Sequence, residues 1–217
     1  MARLSREFYL RDTLEVARAL LGKYLFRYLN GEWLIGRILE TEAYIGRCDK
    51  ACHAYGKRRT PRTSTLYLEG GHAYLYLIYG RYYCLNFVTE PEDEPAGVLI
   101  RALEPILGME RIWHLRFGDL PMTAYRRKNL LNGPGKVCQG FGLTRAENGL
   151  DLTQSQILYV SDELPGEFPG KRSGEISGER ICTGPRIGID YAEEARDFPW
   201  RFWLEPEKHA DKNKNQN

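Results

Sequence analysis

The stretch HAYLYLIYGRYYCLNFV, residues 72–88, decides the fold. Leu75 and Leu77 alternate with Tyr74 and Tyr76, so an extended chain presents one apolar face and one aromatic face. Tyr79, Gly80 and Arg81 interrupt the alternation, and the stretch reads as two strands of a hairpin meeting there. Six of the 14 tyrosines fall between Tyr67 and Tyr83, so the hairpin concentrates the aromatic content. A tyrosine-rich strand pair packed in a core accounts for Tyr82 and Tyr83 but not for Tyr79 at the tip. The second reading is a shelf for flat partners, since a base stacked on an aromatic ring contributes about 1–3 kcal/mol. On that reading Tyr79 is a wedge that enters a base stack.

The flanks supply more strands. YLFRYL (24–29) and WLIGRILETEAY (33–44) are joined by an Asn-Gly turn, a second hairpin, and GVLIRALEP (97–105) is another strand. Pro105 is expected to open a helix over ILGMERIWHLR. RDTLEVARALLGKYL (11–25) predicts a helix capped by Asp12, with Glu15 in a capping-box-like position, a stripe of Leu14, Ala17, Leu20 and Leu21, and a stop at Gly22. NGPGKVCQGFGL opens a short helix at Pro134, and ILYV (157–160) is a short strand. Residues 163–180 form a Gly- and Pro-punctuated connection. RIGIDYAEEARDFPWRFWLE (186–205) reads as strand, helical turn and strand. The prediction is an α+β fold: a single domain over 1–205, with a mainly antiparallel curved sheet, surrounding helices and a protruding β-hairpin. Residues 206–217 are expected to be a disordered tail.

The chain has 217 residues, 42% of them apolar, which suits a soluble domain. No run approaches the roughly 20 apolar residues of a membrane span, and no signal peptide is visible, so a cytoplasmic protein is expected. The five cysteines, an odd number without framework spacing, fit a reducing compartment. Cys48, Cys52 and His53 raise a zinc question, but no second half-site follows, and unpaired thiols are the preferred reading. Net charge is only +2, yet GKRRTPR (56–62) and YRRKN (125–129) are basic clusters and EPEDE (90–94) is acidic. Such clusters hold a polyanion or are solvated loops, and charge alone favours the latter.

Glu40, Glu42 and Tyr44 share one strand face, with the two acids about 6.5 Å apart along the strand. That spacing suits a glycosidase pair, or one catalytic and one structural acid, or two salt-bridged acids at a sheet edge. Arg101 lies in an apolar run, where a permanent charge must meet an acid or a ligand. Glu40 and Glu42 are its natural partners.

Taken in order, ETEAYIG, the loop bearing His53 and RRTPR, YLYLIYGRYYCLN, VLIRALEP and GPGKVCQ resemble the alkyladenine (3-methyladenine) DNA glycosylases, from about residue 20 to residue 202. The resemblance implies a monofunctional glycosylase of base excision repair. It would flip alkylated or deaminated purines (3-methyladenine, 7-methylguanine, hypoxanthine, ethenoadenine) from duplex DNA and hydrolyse the N-glycosidic bond. It implies Glu42 as general base on a water, Arg101 and the Ile187 carbonyl as holders of that water, and Tyr44, His53 and Tyr76 around the extruded base. Asn86 matches the pocket floor that disfavours guanine, and Tyr79 the residue filling the gap in the duplex. Arg58, Thr60 and Arg62 match backbone-phosphate contacts. Arg81 stands where mammalian members are apolar, and is expected to reach a phosphate instead. Lys136 is the nearest lysine for Schiff-base chemistry but reads as a phosphate contact at a helix start. The expected partner is damaged double-stranded DNA, with no metal or diffusible cofactor, in a monomeric enzyme. The long polar N-terminal extension of mammalian members is missing, so a bacterial source is expected. Two rival readings are a carbohydrate-active hydrolase using Glu40 and Glu42, and a non-catalytic nucleic-acid-binding module in which Glu42 is unimportant.

Overall fold

The computed structural model describes residues 3–164 and 178–207. Most of the predicted connection over 163–180 and the tail beyond residue 207 lie outside the described residues. In chain order the strands are β1 (Tyr24–Leu29), β2 (Glu32–Ile45), β3 (Ala73–Ile78), β4 (Tyr82–Val88), β5 (Ala96–Leu107), β6 (Leu158–Ser161), β7 (Glu179–Gly184) and β8 (Arg201–Pro206). The helices are α1 (Arg6–Tyr9), α2 (Thr13–Ala19), α3 (Met109–Phe117), α4 (Ala124–Lys128) and α5 (Pro134–Gly140). The sheet runs β3-β4-β5-β2-β1-β6, with β8 also on β2 and β7 on β8, and every pairing is antiparallel. The α+β expectation holds.

β2 organises the rest because it is the longest strand. One edge pairs with β5 from Ile35 to Ile45; the other is shared by β1 at 32–37 and β8 at 40–42. Thr41 and Ala43 face the core, and the Thr41 hydroxyl donates to the Ala17 carbonyl at 2.8 Å, tying α2 to the sheet. That core holds Val16, Leu20, Ile38, Leu85, Phe87, Ile100, Val137, Phe141 and Phe202. Glu40, Glu42 and Tyr44 point to the opposite face.

Local chemistry explains most boundaries. Asn30 and Gly31 take positive φ (50° and 90°) in the turn between β1 and β2, the requirement of a two-residue type I′ connection. Asp12 caps α2 by accepting from the Leu14 and Glu15 N–H groups, and α2 ends at Ala19, earlier than its pattern predicts, with Gly22 at φ 82° beyond it. Three sequence expectations are corrected. Pro105 does not open a helix: it lies in β5 opposite Gly36, at a register shift where a missing N–H is tolerated. The helix starts after Gly108, whose φ of 79° turns the chain. RIGI is not a strand but an irregular loop, and the strand before it is β7, whose first two residues, Glu179 and Arg180, fall in the predicted connection.

Phe202 is fully buried in the main core from the short strand β8. Phe202→Ala is expected to lower unfolding stability by about 3–5 kcal/mol in urea titrations; a loss below about 1 kcal/mol would mean that β8 does not close the core.

Candidate active site

Glu42 has no exposed surface. Its carboxylate is held by three donors: the Ile187 N–H reaches Oε1 at 2.8 Å, the Tyr44 phenol reaches Oε2 at 2.9 Å, and Arg101 Nη1 reaches Oε2 at 3.1 Å. Arg101 Nε also donates to Glu40 at 3.1 Å, and Arg201 flanks Glu40 at 3.6 Å. Glu40 is therefore engaged by two guanidinium groups. A β-bulge puts Arg101 where it is. Glu40 pairs with Ala102 and Thr41 with Ile100, so Arg101 is the extra residue, and bulges re-aim side chains in this way. Burial raises the Glu42 carboxyl above its ordinary 4.5, against the lowering effects of Arg101, the Ile187 N–H and the Tyr44 phenol. Oε2 accepts two hydrogen bonds and Oε1 only one among the described residues, so Oε1 keeps an acceptor position to spare.

The donors form the wall between Glu42 and a cavity of about 460 Å³, within the roughly 300–1,000 Å³ range of small-molecule sites. Tyr44, Arg101 and Ile187 all line it, so the acid sits one hydrogen bond behind the surface rather than on it. Facing them are Tyr76 and Tyr74 from β3, Asn86 from β4 and His53 from the loop after β2. His53 packs edge-on to Tyr76 with centroids 4.4 Å apart, and its Nδ1 lies 3.0 Å from the Tyr74 hydroxyl. Burial, with the Arg62 charge beside it, pushes His53 down to about 4, so its imidazole is neutral at physiological pH. Asn86 is buried and donates to the Tyr74 carbonyl at 3.2 Å, which fixes its amide.

Sequence reasoning missed a brace behind this wall. Arg186 and Asp49 form a fully buried ion pair, with Arg186 Nη2 2.7 Å from Asp49 Oδ1. The same guanidinium donates to the Ala43 and Ala195 carbonyls, and lies between the Tyr44 and Trp200 rings at 4.6 and 5.1 Å from their centroids. Asp49 in turn accepts from the Ala51 N–H. The brace thus ties β2, the His53 loop and the Ile187 loop together. Its one sequence signal is a cation in GPRIGID, a segment otherwise read as strand. Tyr191, Cys84 and Ile189 also line the cavity and were not singled out.

Toward solvent, Tyr79 is 88% exposed at the hairpin tip and also borders the cavity mouth. Arg62 lines the cavity with its guanidinium 5.5 Å from the Tyr76 centroid. Arg58 and Arg81 are exposed, Arg81 lying over Tyr82 at 5.5 Å. Thr60 bonds within its own turn, to Thr63. Lys136 is less free than expected, because it donates to Asn129 at 3.1 Å and Asn132 at 2.7 Å. The five cysteines are unpaired. Among the described residues no group of three His, Cys, Asp or Glu side chains is placed to hold a metal, and no helix is long and apolar enough to cross a membrane.

The sequence profile described as methylpurine-DNA glycosylase (MPG) matches residues 7–208. A curated protein of Clostridium perfringens (strain SM101 / Type A), provisionally named a 3-methyladenine DNA glycosylase, is 48% identical over 212 residues, covering 97% of this chain and 99% of the relative. A Clostridium botulinum (strain Loch Maree / Type A3) protein with the same provisional name is 48% identical over 204 residues, covering 93% and 95%.

Two measurements probe the wall and its brace. In carboxyl NMR titrations Glu42 is expected to titrate above 4.5, and Arg101→Met to move it higher, since a neighbouring cation lowers a carboxyl pKa; an unchanged or lower value would remove Arg101 from the electrostatics of Glu42. Asp49→Ala is expected to cost about 3–5 kcal/mol by stranding the Arg186 charge, and Asp49→Ala with Arg186→Met to cost less than the single change. Additive losses would show that the ion pair is not the brace.

Proposed function

Because the chain belongs to the methylpurine-DNA glycosylase family, we propose that it hydrolyses the N-glycosidic bond of alkylated or deaminated purines extruded from duplex DNA, with Glu42 as general base. The single observation that carries this reading is the Glu42 carboxylate buried behind an aromatic cavity, with one oxygen left able to accept from a water.

The base inside a duplex hides its glycosidic bond, so the nucleotide must leave the stack at a cost of a few kcal/mol. Tyr79 stands free at the tip to fill the vacancy and offset part of that cost. The extruded purine lies among Tyr44, Tyr76 and His53. Alkylation at N3 or N7 makes the purine cationic, and tyrosine faces attract such a ring by roughly 0.5–2 kcal/mol each. The neutral His53 adds no opposing charge. Asn86, held by the Tyr74 carbonyl, presents a fixed amide on the cavity floor, which disfavours an exocyclic amino group that it cannot accommodate.

In the chemical step a water bound at Glu42 Oε1 gives its proton to the carboxylate, and its oxygen forms a bond to the anomeric carbon. The glycosidic bond breaks, and its electron pair leaves with the base. A cationic alkylpurine departs neutral, so it needs no strong acid. Arg101 and the Ile187 N–H hold the acid in place while positive charge develops on the sugar. Water access requires the Ile187 loop to open slightly. Ile187 is 51% exposed and adjoins Gly188 at φ 76°. Arg58, Thr60, Arg62, Arg81 and Lys136 are the candidate phosphate contacts, of which Arg62 is nearest the mouth. The domain over 1–205 is proposed to act as a monomer in the cytoplasm.

General-base help contributes about 10²–10⁴ in rate. Glu42→Gln is therefore expected to lose at least that factor in purine release from methylated duplex DNA while still binding abasic-site DNA. Full activity in this variant refutes the assigned base, whereas binding without purine release by the wild type favours the binding-module reading. The base must be ionised and its pKa is raised, so kcat/KM is expected to fall as pH drops, with its acid limb above pH 4.5. Tyr79→Ala is expected to weaken lesion binding with little effect on the rate once the base is bound; unchanged affinity would remove the wedge role.

A further inference from the structure

The second basic cluster, YRRKN, has no role in the site, and its charge balance sets it apart. The GKRRTPR loop is partly neutralised: Lys57 pairs with Glu94 at 3.0 Å and Arg59 with Asp93 at 2.9 Å. Residues 120–146 contain no Asp or Glu at all, but carry Arg126, Arg127, Lys128, Lys136 and Arg145. Among the described residues no ion pair involves Arg126, Arg127 or Lys128. Arg126 donates to the Pro121 carbonyl and Arg127 to the Met122 sulfur, while Tyr125 is 76%, Leu120 51% and Met122 44% exposed. Three adjacent unpaired cations beside exposed apolar groups are a poor solvated loop and a good polyanion contact.

The arm is also ordered and joined to the cavity mouth. Thr123 caps α4 by accepting from the Arg126 N–H at 3.2 Å. Asn129, at the end of α4, donates to the Tyr125 carbonyl and accepts from Lys136. Arg116 donates to the Asn129 carbonyl at 3.2 Å. Lys136 lies two residues after Pro134, which lines the cavity. Lys136 therefore ties the end of α4 to the first turn of α5, while no residue of 120–128 lines the cavity itself.

We propose that residues 120–128 form a second DNA-backbone contact, in which Arg126, Arg127 and Lys128 bind phosphates of the duplex flanking the extruded nucleotide. The ligand follows from the glycosylase reading, on which this rests. The arm grips beyond the lesion, so its contribution depends on duplex length and on salt.

The test compares wild type with Arg126→Gln/Arg127→Gln/Lys128→Gln, all surface changes, and with the control Lys57→Gln/Arg59→Gln, which removes paired cations. Binding is followed by fluorescence anisotropy against salt, on duplexes of about 25 and about 9 base pairs with a central abasic-site analogue. Each phosphate contact adds about 0.9 to the slope of log K against log salt, so the triple variant is expected to lose about 2–3 from the slope on the long duplex. The short duplex and the control variant are expected to change little. An unchanged slope on the long duplex overturns the proposal, as does an equal loss on both duplexes, which would place the cluster at the pocket. Purine release by wild type is read separately. Release with an unchanged slope sinks the arm alone, whereas a slope loss without release sinks the glycosylase reading and leaves a DNA-binding arm.

Discussion

A carboxylate taken wholly out of water is the constraint on which the site depends. Without partners, burial of the Glu42 charge would cost several kcal/mol, and the group would simply stay protonated. Its three donors come from three separate segments: Tyr44 from the same strand, Arg101 from the neighbouring strand, and Ile187 from a loop more than 140 residues away. Each is placed by a distinct backbone device: strand alternation for Tyr44, a bulge for Arg101, and an irregular loop for Ile187. Burial outweighs these donors and leaves the acid with a raised pKa.

The Asp49–Arg186 pair extends the same logic one layer outward. Arg186 immediately precedes Ile187, and it donates to the carbonyl of Ala43, which immediately follows Glu42. One guanidinium therefore registers both sides of the Glu42–Ile187 hydrogen bond. Its position between Tyr44 and Trp200 also fixes the ring that donates to Glu42. Replacing this pair by apolar groups could match its stability but not its directional hydrogen bonds, so geometry rather than net energy is what the ion pair supplies.

What could be read in the sequence follows the range of the forces involved. The alternation in residues 72–88 and the Asn-Gly turn are local signals, and they give the hairpins and the antiparallel sheet directly. Arg101 was legible because a permanent charge in an apolar run demands a partner. Arg186 carries the same demand but is flanked by Gly, Pro and Ile in a segment that mimics a strand, so its partner across 137 residues stayed hidden. Pro105 misled because proline usually ends an element, and only the register shift opposite Gly36 admits it within β5. α4 has five residues and no apolar stripe, so periodicity could not announce it.

The hairpin tip carries a consequence of its own. The turn is closed by the Arg81 N–H donating to the Ile78 carbonyl at 3.1 Å, and both central residues, Tyr79 and Gly80, have positive φ (53° and 63°). A left-handed backbone is uncommon for tyrosine, so the tight turn, rather than residue preference, holds Tyr79 at the tip. The backbone of the tip is therefore set before any contact, and little of its entropy remains to be lost. A tip of that kind meets whatever touches it without refolding its backbone.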